Sequence, residues 1–444
     1  MLTRVKSDLL VQKEMAELVA EVSPASLISP GPLAGSIDGL SLVDQLDLGH
    51  DRWILILRDG SGSKWAAPVV TSENAIRRAR PGDGVSEALL DFLAMGEGGS
   101  SGFTWQSWNV PTAIGEASIP VDQTHESVVV GHLAVVKWQA ILSSSNSAPL
   151  TIQVLKEKKF GHMPELFALL QWQDLDQSET LAVLVASVVA YLPGSQDGWE
   201  WMVDDLTSYV EGSSTLASAL APLTALGEIT AELHVTLAHD GNYELNPDFL
   251  NAWLVSALQD LDSVLEEIDG DELVRVGESR EQIFEVLSLV EHIWETPLIN
   301  IHGDLHVGQF LRGPGRHEFA VIDFDGNPVA SETERSAAAP AASDVASLMQ
   351  SIDHVGRIVQ RKFGGVGHDL IEDWIEPAKQ RFLEAYRDRL AENEMIELLD
   401  ERLLFPFRVR QELREFLYAA RHLPSWRYVP DTALAALLDE RWRA

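Results

Sequence analysis

The stretch 298–328, LINIHGDLHVGQFLRGPGRHEFAVIDFDGNP with its leading leucine, constrains the chain more than any other part of it. It opens on a short apolar run, Leu298 to Ile301, that reads as a buried strand. His302-Gly303-Asp304 turns out of that run, and Gln309 follows Asp304 by five positions. A second run, Phe319 to Ile322, delivers Asp323, and the glycines and proline between Arg312 and Gly315 predict a tight hairpin turn. Two carboxylates and one amide are thereby presented from the ends of two neighbouring strands. That set suits a catalytic base beside a hard cation, because Mg²⁺ takes oxygen ligands. An isolated His-Gly-Asp or Ile-Asp-Phe is commonplace, with the Asp serving as a turn or cap residue. The joint pattern demands a fixed spacing, a strand ahead of each motif and a short connection, and it points to catalysis.

HGDxxxxQ followed by IDF resembles the catalytic and metal loops of the aminoglycoside-phosphotransferase-like kinases. Those loops are in turn similar to the HRDxxxxN and DFG pair of protein kinases. Gln309 stands where Asn is usual, and HGDLHVGQ resembles the maltokinases and their actinobacterial relatives, glucosamine kinases among them. The resemblance runs from about residue 100 to the end of the chain. It implies an α+β, bilobal, eukaryotic-protein-kinase-like fold with an N-terminal cap subdomain. Residues 1–100 would be the cap, 101–194 an intermediate β-rich nucleotide-binding subdomain, and 195–444 a helical C-lobe with the catalytic and sugar-binding site. It further implies ATP as phosphoryl donor, Asp304 as catalytic base, Gln309 and Asp323 as Mg²⁺ ligands, and Lys137 on the α- and β-phosphates. Asp325 is a further candidate for metal or substrate contact.

A chain of 444 residues is long enough for two or three lobes with sizeable cores. Its 45% hydrophobic and 23% charged residues are those of a globular protein. A formal charge of −35 argues against nucleic acid or an anionic membrane surface as a general partner. A nucleotide must then be drawn in by a local cation and its metal. With no cysteine, a disulfide, a thiolate nucleophile and Cys-ligated zinc are excluded. The first 22 residues are amphipathic, carry acids and lack a continuous apolar segment, so neither a signal peptide nor a membrane span is expected. The expectation is a cytoplasmic, monomeric enzyme whose partners are a small sugar and ATP.

Strands are expected over 52–57 and 65–70, a short helix over 85–93, and a Gly/Ser-rich linker over 95–102. Two β-rich runs follow, 127–132 and 133–138. The loop before them is polar, whereas kinases cover the phosphates with a glycine-rich loop. Hydroxyls and backbone N–H groups from Gln123 to Ser127 are the candidates for that task. Lys137 ends an apolar strand, where an unpaired ammonium is costly; it is either an exposed strand lysine or a phosphate anchor. A helix over 150–159 takes the place of kinase helix C, with Gln153 and Glu157 as candidate partners for Lys137. A buried strand over 181–192, then Pro193-Gly194 and Asp197-Gly198-Trp199, resembles the maltokinase order. By that resemblance Val189 to Tyr191 form the hinge whose backbone groups bond adenine.

The remainder reads as helical. Leu223, Leu226, Ile229, Leu233 and Leu237 mark one buried helix face, and His234 among them reads as a packed or solvent-facing histidine. Ser279 with Gln282 has the form of a capping box. Residues 329–342 are Ala/Ser/Pro-rich and read as a mobile excursion. Asp344 is by itself an ordinary helix cap; in kinase-like folds an Asp at this place braces the catalytic loop. On a C-terminal helix Gln411, Glu415 and Tyr418 share one side, and Trp426 follows the turn. An aromatic face with carboxylates binds a sugar ring bearing hydroxyl or ammonium groups, though a solvated helix docked by its aromatics has the same pattern. The segment resembles the maltokinase ending, which implies a substrate set of Asp304, His306, Gln411, Glu412, Glu415 and Trp426. IDFDGNP departs from the FEGEP of maltokinases and favours the aminosugar branch, with glucosamine phosphorylated at its 6-hydroxyl. Maltose 1-phosphate formation, antibiotic phosphorylation and a pseudokinase-like binding module are the alternatives. The intact Asp304, Gln309 and Asp323 set argues against the last.

Overall fold

Runs of β-branched and aromatic residues dominate the first part of the chain and build antiparallel sheets there. The structure, a computed structural model, describes residues 2–28, 37, 39–72, 75–119, 126–143, 148–175, 182–238, 244–245, 247–293, 295–315, 318–327 and 329–440. It divides into two compact units, Met1–Pro149 with Pro164–Pro193, and Leu150–Met163 with Gly194–Ala444.

In the first unit, helix α1 (Leu2–Glu21) precedes strands β1 (Leu40–Gly49), β2 (Arg52–Asp59), β3 (Lys64–Ser72) and β4 (Ala75–Arg78). Helix α2 (Val85–Leu93) follows, then β5 (Gly98–Ser100), β6 (Phe103–Ser107), β7 (Glu116–Ser118), β8 (Glu126–Val130), β9 (Ala134–Trp138) and β10 (Ile141–Leu142). After an excursion through helix α3 (Ala148–Glu157), β11 (Leu166–Trp172) and β12 (Val183–Ala190) complete the unit. One sheet has the order β1-β2-β3-β10 with β4 also on β3; the other has the order β5-β6-β11-β12-β9-β8-β7.

Ile54, Leu55, Ile56 and Leu57 are all fully buried, so β2 is covered on both faces. Leu55 and Leu57 join Met15 and Val19 of α1 in one core. Ile54 and Ile56 join Leu89, Leu90 and Leu93 of α2, together with Val136, Trp172 and Val188 of the second sheet. Each such side chain contributes on the order of 1.5–3 kcal/mol on burial. Residues before and after position 100 therefore share a core. The expected linker is corrected accordingly: Gly98, Gly99 and Ser100 pair with Trp105, Thr104 and Phe103. The glycine is there for space, since a Cβ on Gly98 would lie 2.5 Å from the Trp105 ring. The N-terminus of α2 has no side-chain cap of its own. Glu116 serves instead, accepting the N–H groups of Gly82, Gly84 and Ser86 at 2.7, 2.9 and 2.6 Å.

The second unit is mainly helical. Helices α4 (Gly198–Val210) and α5 (Leu216–Ala238) are followed by β13 (Glu244–Leu245), α6 (Pro247–Glu267), α7 (Gly270–Glu278) and α8 (Arg280–Leu287). Strands β14 (Pro297–Leu298), β15 (Phe310–Arg312) and β16 (Phe319–Val321) come next. Helices α9 (Glu332–Ser336), α10 (Ala342–Lys362), α11 (His368–Glu392), α12 (Leu404–His422) and α13 (Tyr428–Glu440) end the chain. The apolar run at 298–301 is shorter as a strand than expected: β14 stops at Leu298, and Ile299 adds only a bridge to Ala339. Ser279 is no capping box, because its helical backbone (φ −88°, ψ −1°) closes α7 and leaves its side chain unused as a cap. Among the described residues, no helix is long and apolar enough to cross a membrane.

Residues 329–342 are built rather than loose. Ser331 and Glu334 form a true capping box on α9. The Glu334 carboxylate also accepts from Arg410 and Arg414 of α12 at 2.7 and 2.9 Å. Burial opposes its charge, but the two guanidiniums prevail and hold its pKa down at about 2.

Candidate active site

The catalytic loop is hung from α10. Asp344 is buried, and its carboxylate accepts the backbone N–H of His302 at 2.8 Å and of Gly303 at 2.9 Å. Its Oδ2 also meets His234 Nε2 at 3.1 Å, while His234 Nδ1 meets the Tyr386 hydroxyl at 2.7 Å. Asp344 is thus a brace and not a cap; the cap position is Ala341. His234 is packed, and it extends the brace to α11. Burial alone would raise the Asp344 pKa, but these hydrogen bonds and the two histidines hold it below the ordinary carboxylate value. Farther along, Ser351 Oγ takes the Val307 N–H at 3.0 Å.

His302 joins the loop to the metal-type strand, its Nε2 lying 2.9 Å from the Ile322 carbonyl oxygen. Burial holds this imidazole below its usual pKa, so it stays neutral and can donate there. β15 pairs with β16, Phe310 opposite Val321, and the Ile322 N–H reaches the Gln309 carbonyl at 3.0 Å. Gln309 and Asp323 consequently sit at the same end of one hairpin. Asp323 has φ +66°, a left-handed conformation that costs a non-glycine residue about 1–3 kcal/mol and is retained where a site dictates it. Its carboxylate and the Gln309 amide are oxygen donors of the type Mg²⁺ takes. The Gln309 amide lies 3.1 Å from His306 Nε2.

Asp304 is the carboxyl of the loop, and its environment perturbs it. Burial pushes its pKa up to about 6; Asp323 and Glu415 add to the rise, while His306 and a hydrogen bond from Asn327 oppose it. His306, Asp323 and Glu415 are thereby all near enough to Asp304 to act on its charge.

Helix α12 supplies the C-terminal members of the cluster. Gln411 donates to Glu415 at 3.1 Å. Burial raises the Glu415 pKa, partly offset by His354 and by the Gln411 and Trp426 hydrogen bonds. Trp426 lies edge-on to Trp199, centroids 5.8 Å apart, and Trp199 stacks on His306 at 5.8 Å. Gln411, Glu415, His306 and Trp426 are therefore brought together with Asp304. Glu412 is corrected: its side chain has no exposure and is held by Gln350 and by His354, so it is committed to the interior between α10 and α12 rather than free to face a sugar. The sequence reading missed Trp199, although its motif was visible. Asp197 caps α4 by accepting the Glu200 N–H. A Cβ on Gly198 would fall 1.8 Å from the Val307 carbonyl oxygen, and one on Gly308 would fall 2.6 Å from the Trp199 indole nitrogen.

In the first unit, Ser127 on β8 and Ser187 on β12 are the cross-strand neighbours of Lys137 on β9. Two expected nucleotide residues thus share one face. Val189 pairs with Val135 in the same sheet. The hinge expectation is corrected in one respect: the N–H groups of Ala190 and Tyr191 are taken by the Glu165 and Leu133 carbonyls, at 2.8 and 2.9 Å. Gln123 lies outside the described residues.

A braced HGD loop with an aspartate just beyond the second strand of the adjoining hairpin is the arrangement of a kinase-like phosphotransferase. The model of the phosphotransferase enzyme family, APH, matches residues 154–374. The chain is 40% identical over 436 residues to a glucosamine kinase of Streptacidiphilus jiangxiensis, covering 96% of this chain and 98% of that protein. It is 40% identical over 404 residues to a glucosamine kinase of Mycolicibacterium smegmatis, covering 90% of this chain and 98% of that protein. A solved glucosamine kinase in complex with glucosamine, ADP and inorganic phosphate matches with a TM-score of 0.80 at 39% identity, over 95% of this chain and 99% of that one. The chain belongs to the phosphotransferase enzyme family and has its protein-kinase-like fold.

Proposed function

We propose that the protein transfers the γ-phosphoryl group of ATP to the 6-hydroxyl of glucosamine, giving ADP and glucosamine 6-phosphate. The observation that carries this reading is Asp304, with its raised pKa, in one cluster with the Glu415 carboxylate, His306 and the Trp199 and Trp426 rings. The similarity to glucosamine kinases over nearly the whole chain supports the acceptor. The sugar oxygen bonds to the γ-phosphorus as the bond to the β-γ bridging oxygen breaks, and the hydroxyl proton goes to Asp304. Glu415 receives the substrate ammonium, and the aromatic rings take the apolar face of the sugar. Asp323 and the Gln309 amide are the residues that would hold Mg²⁺, which when bound neutralises phosphate charge. Lys137 and Ser127 act on the nucleotide phosphates, and the strand from Val189 to Tyr191 offers adenine carbonyl groups in place of its occupied N–H groups. ATP as co-substrate puts the reaction in the cytoplasm.

Steady-state assays with Mg·ATP and glucosamine, glucose, maltose or kanamycin test the reading, with phosphorus–proton NMR on the product to identify the esterified hydroxyl. Glucosamine should be used far better than the others and carry phosphate at position 6. A preference for maltose or kanamycin, or no ATP consumption with any acceptor, would overturn it.

A further inference from the structure

Asn327 belongs to neither motif, yet it is the side chain that holds the base. Its Nδ2 donates to Asp304 Oδ1 at 2.9 Å, and its own Oδ1 accepts the Val329 N–H at 2.9 Å. The second bond fixes which end of the amide is oxygen, so the nitrogen faces Asp304. Asn327 is buried. It arrives there because two loops meet glycine to glycine: Gly303 and Gly326 have φ of +83° and +76°, and a Cβ on Gly303 would lie 3.4 Å from Gly326 Cα. The other carboxylate oxygen, Asp304 Oδ2, faces His306 Nε2 at 4.0 Å, beyond hydrogen-bond distance.

We propose that Asn327 is the positioning residue of the catalytic base: it occupies Oδ1, locks the carboxylate rotation and leaves Oδ2 as the oxygen that meets the acceptor hydroxyl. The proposal rests on Asp304 being that base. Because Asn327 lies on the loop that carries Asp323, it also makes base and metal ligand parts of one rigid assembly. A carboxylate free to rotate spends less time aligned with the hydroxyl, which lowers the rate of transfer without changing how either substrate binds.

The test uses two variants of the full chain. Asn327→Leu removes both bonds while keeping the branched shape and the number of heavy atoms. Asn327→Asp keeps the acceptor for Val329 and replaces the N–H donor with a carboxylate oxygen that repels Asp304. Both should lose about 10- to 100-fold in kcat, the range of a hydrogen bond to a charged group. KM for ATP and for glucosamine should stay within about threefold of wild type, as should calorimetric affinity for Mg·ADP, since the binding contacts are untouched. Wild-type kcat in Asn327→Asp would mean that only the turn matters and would overturn the proposal. So would a loss expressed chiefly as raised KM or weakened Mg·ADP affinity. If the wild-type enzyme prefers another acceptor, the same ratios are measured on that acceptor, so a wrong substrate and a wrong role for Asn327 give different results.

Discussion

His354 of α10 places its Nε2 2.9 and 3.1 Å from the two carboxylate oxygens of Glu412 on α12, with both side chains buried. Gln350 bridges the pair to Arg408 by accepting from its Nε at 2.5 Å. Burial opposes charge on His354, but the Glu412 carboxylate outweighs it and pushes the imidazole pKa up to about 9. A histidine raised in the folded state stabilises fully below its unfolded pKa near 6.5 and loses that contribution as pH climbs towards about 9. Wild-type stability should accordingly fall by roughly 1.4 kcal/mol per pH unit across this window. A His354→Leu/Glu412→Leu double variant should be flatter there. His354→Leu alone should cost about 3–5 kcal/mol near neutral pH, because it strands a buried carboxylate. Urea unfolding at a series of pH values checks all three, and parallel curves for wild type and double variant would refute the pair's role.

Asp304 should give the rate its acid limb. With the carboxyl at about 6, kcat/KM should fall about tenfold per pH unit below that point as the base is protonated. Asp304→Asn should lower kcat by about 10²- to 10⁴-fold while Mg·ATP affinity survives. The same burial that raises the pKa makes the ionised side chain a burden on the fold. Asp304→Asn should therefore be more stable than wild type at pH 7 by on the order of 2 kcal/mol, with the gain vanishing below about pH 4. A near-normal kcat in this variant would remove Asp304 from the mechanism.

Glu415→Gln should erode the use of glucosamine selectively. Loss of a charge-assisted hydrogen bond to the ammonium predicts a drop of about tenfold to a hundredfold in kcat/KM for glucosamine, with any weak activity on glucose nearly unchanged. Kinetics on both sugars decide this, since equal losses would mean that Glu415 does not read the ammonium.

Asp323→Ala should weaken Mg·ATP binding by about 10- to 100-fold, and Gln309→Leu by less, because the amide is a neutral ligand. Calorimetric titration with and without Mg²⁺ separates the two; an unchanged affinity in Asp323→Ala would take this residue out of the metal site.

Asp304, Gln309 and Asp323 were legible in the sequence because their spacing is local and one hairpin presents them. The brace by Asp344 was legible only through the family resemblance, since its place at the head of a helix reads as a cap and its bonds to His302 and Gly303 cross 42 and 41 residues of chain. The role of Asn327 was not, since it depends on two glycines from separate loops coming into contact. Glu412 misled for a related reason. On a helix wheel it adjoins Glu415, and only its partner 58 residues away reveals which of the two faces inward. The hinge amides looked available because strand pairing, which uses them, leaves no mark on side-chain types. The Gly/Ser stretch at 95–102 looked flexible because composition does not show that a tryptophan ring lies across it.

Gly198 opens α4 and Gly308 lies in the catalytic loop, and each is required by an atom beside the other: the Val307 carbonyl for the first, the Trp199 indole for the second. The two motifs that contain them behave as one word written in two places, 110 positions apart by the numbering of their glycines, 308 minus 198. A chimaera whose crossover falls between them would join halves from different parents at their tightest contact. Grafts of acceptor specificity onto this scaffold should therefore move the segment from 197 to 309 as a block, or leave both ends of it native.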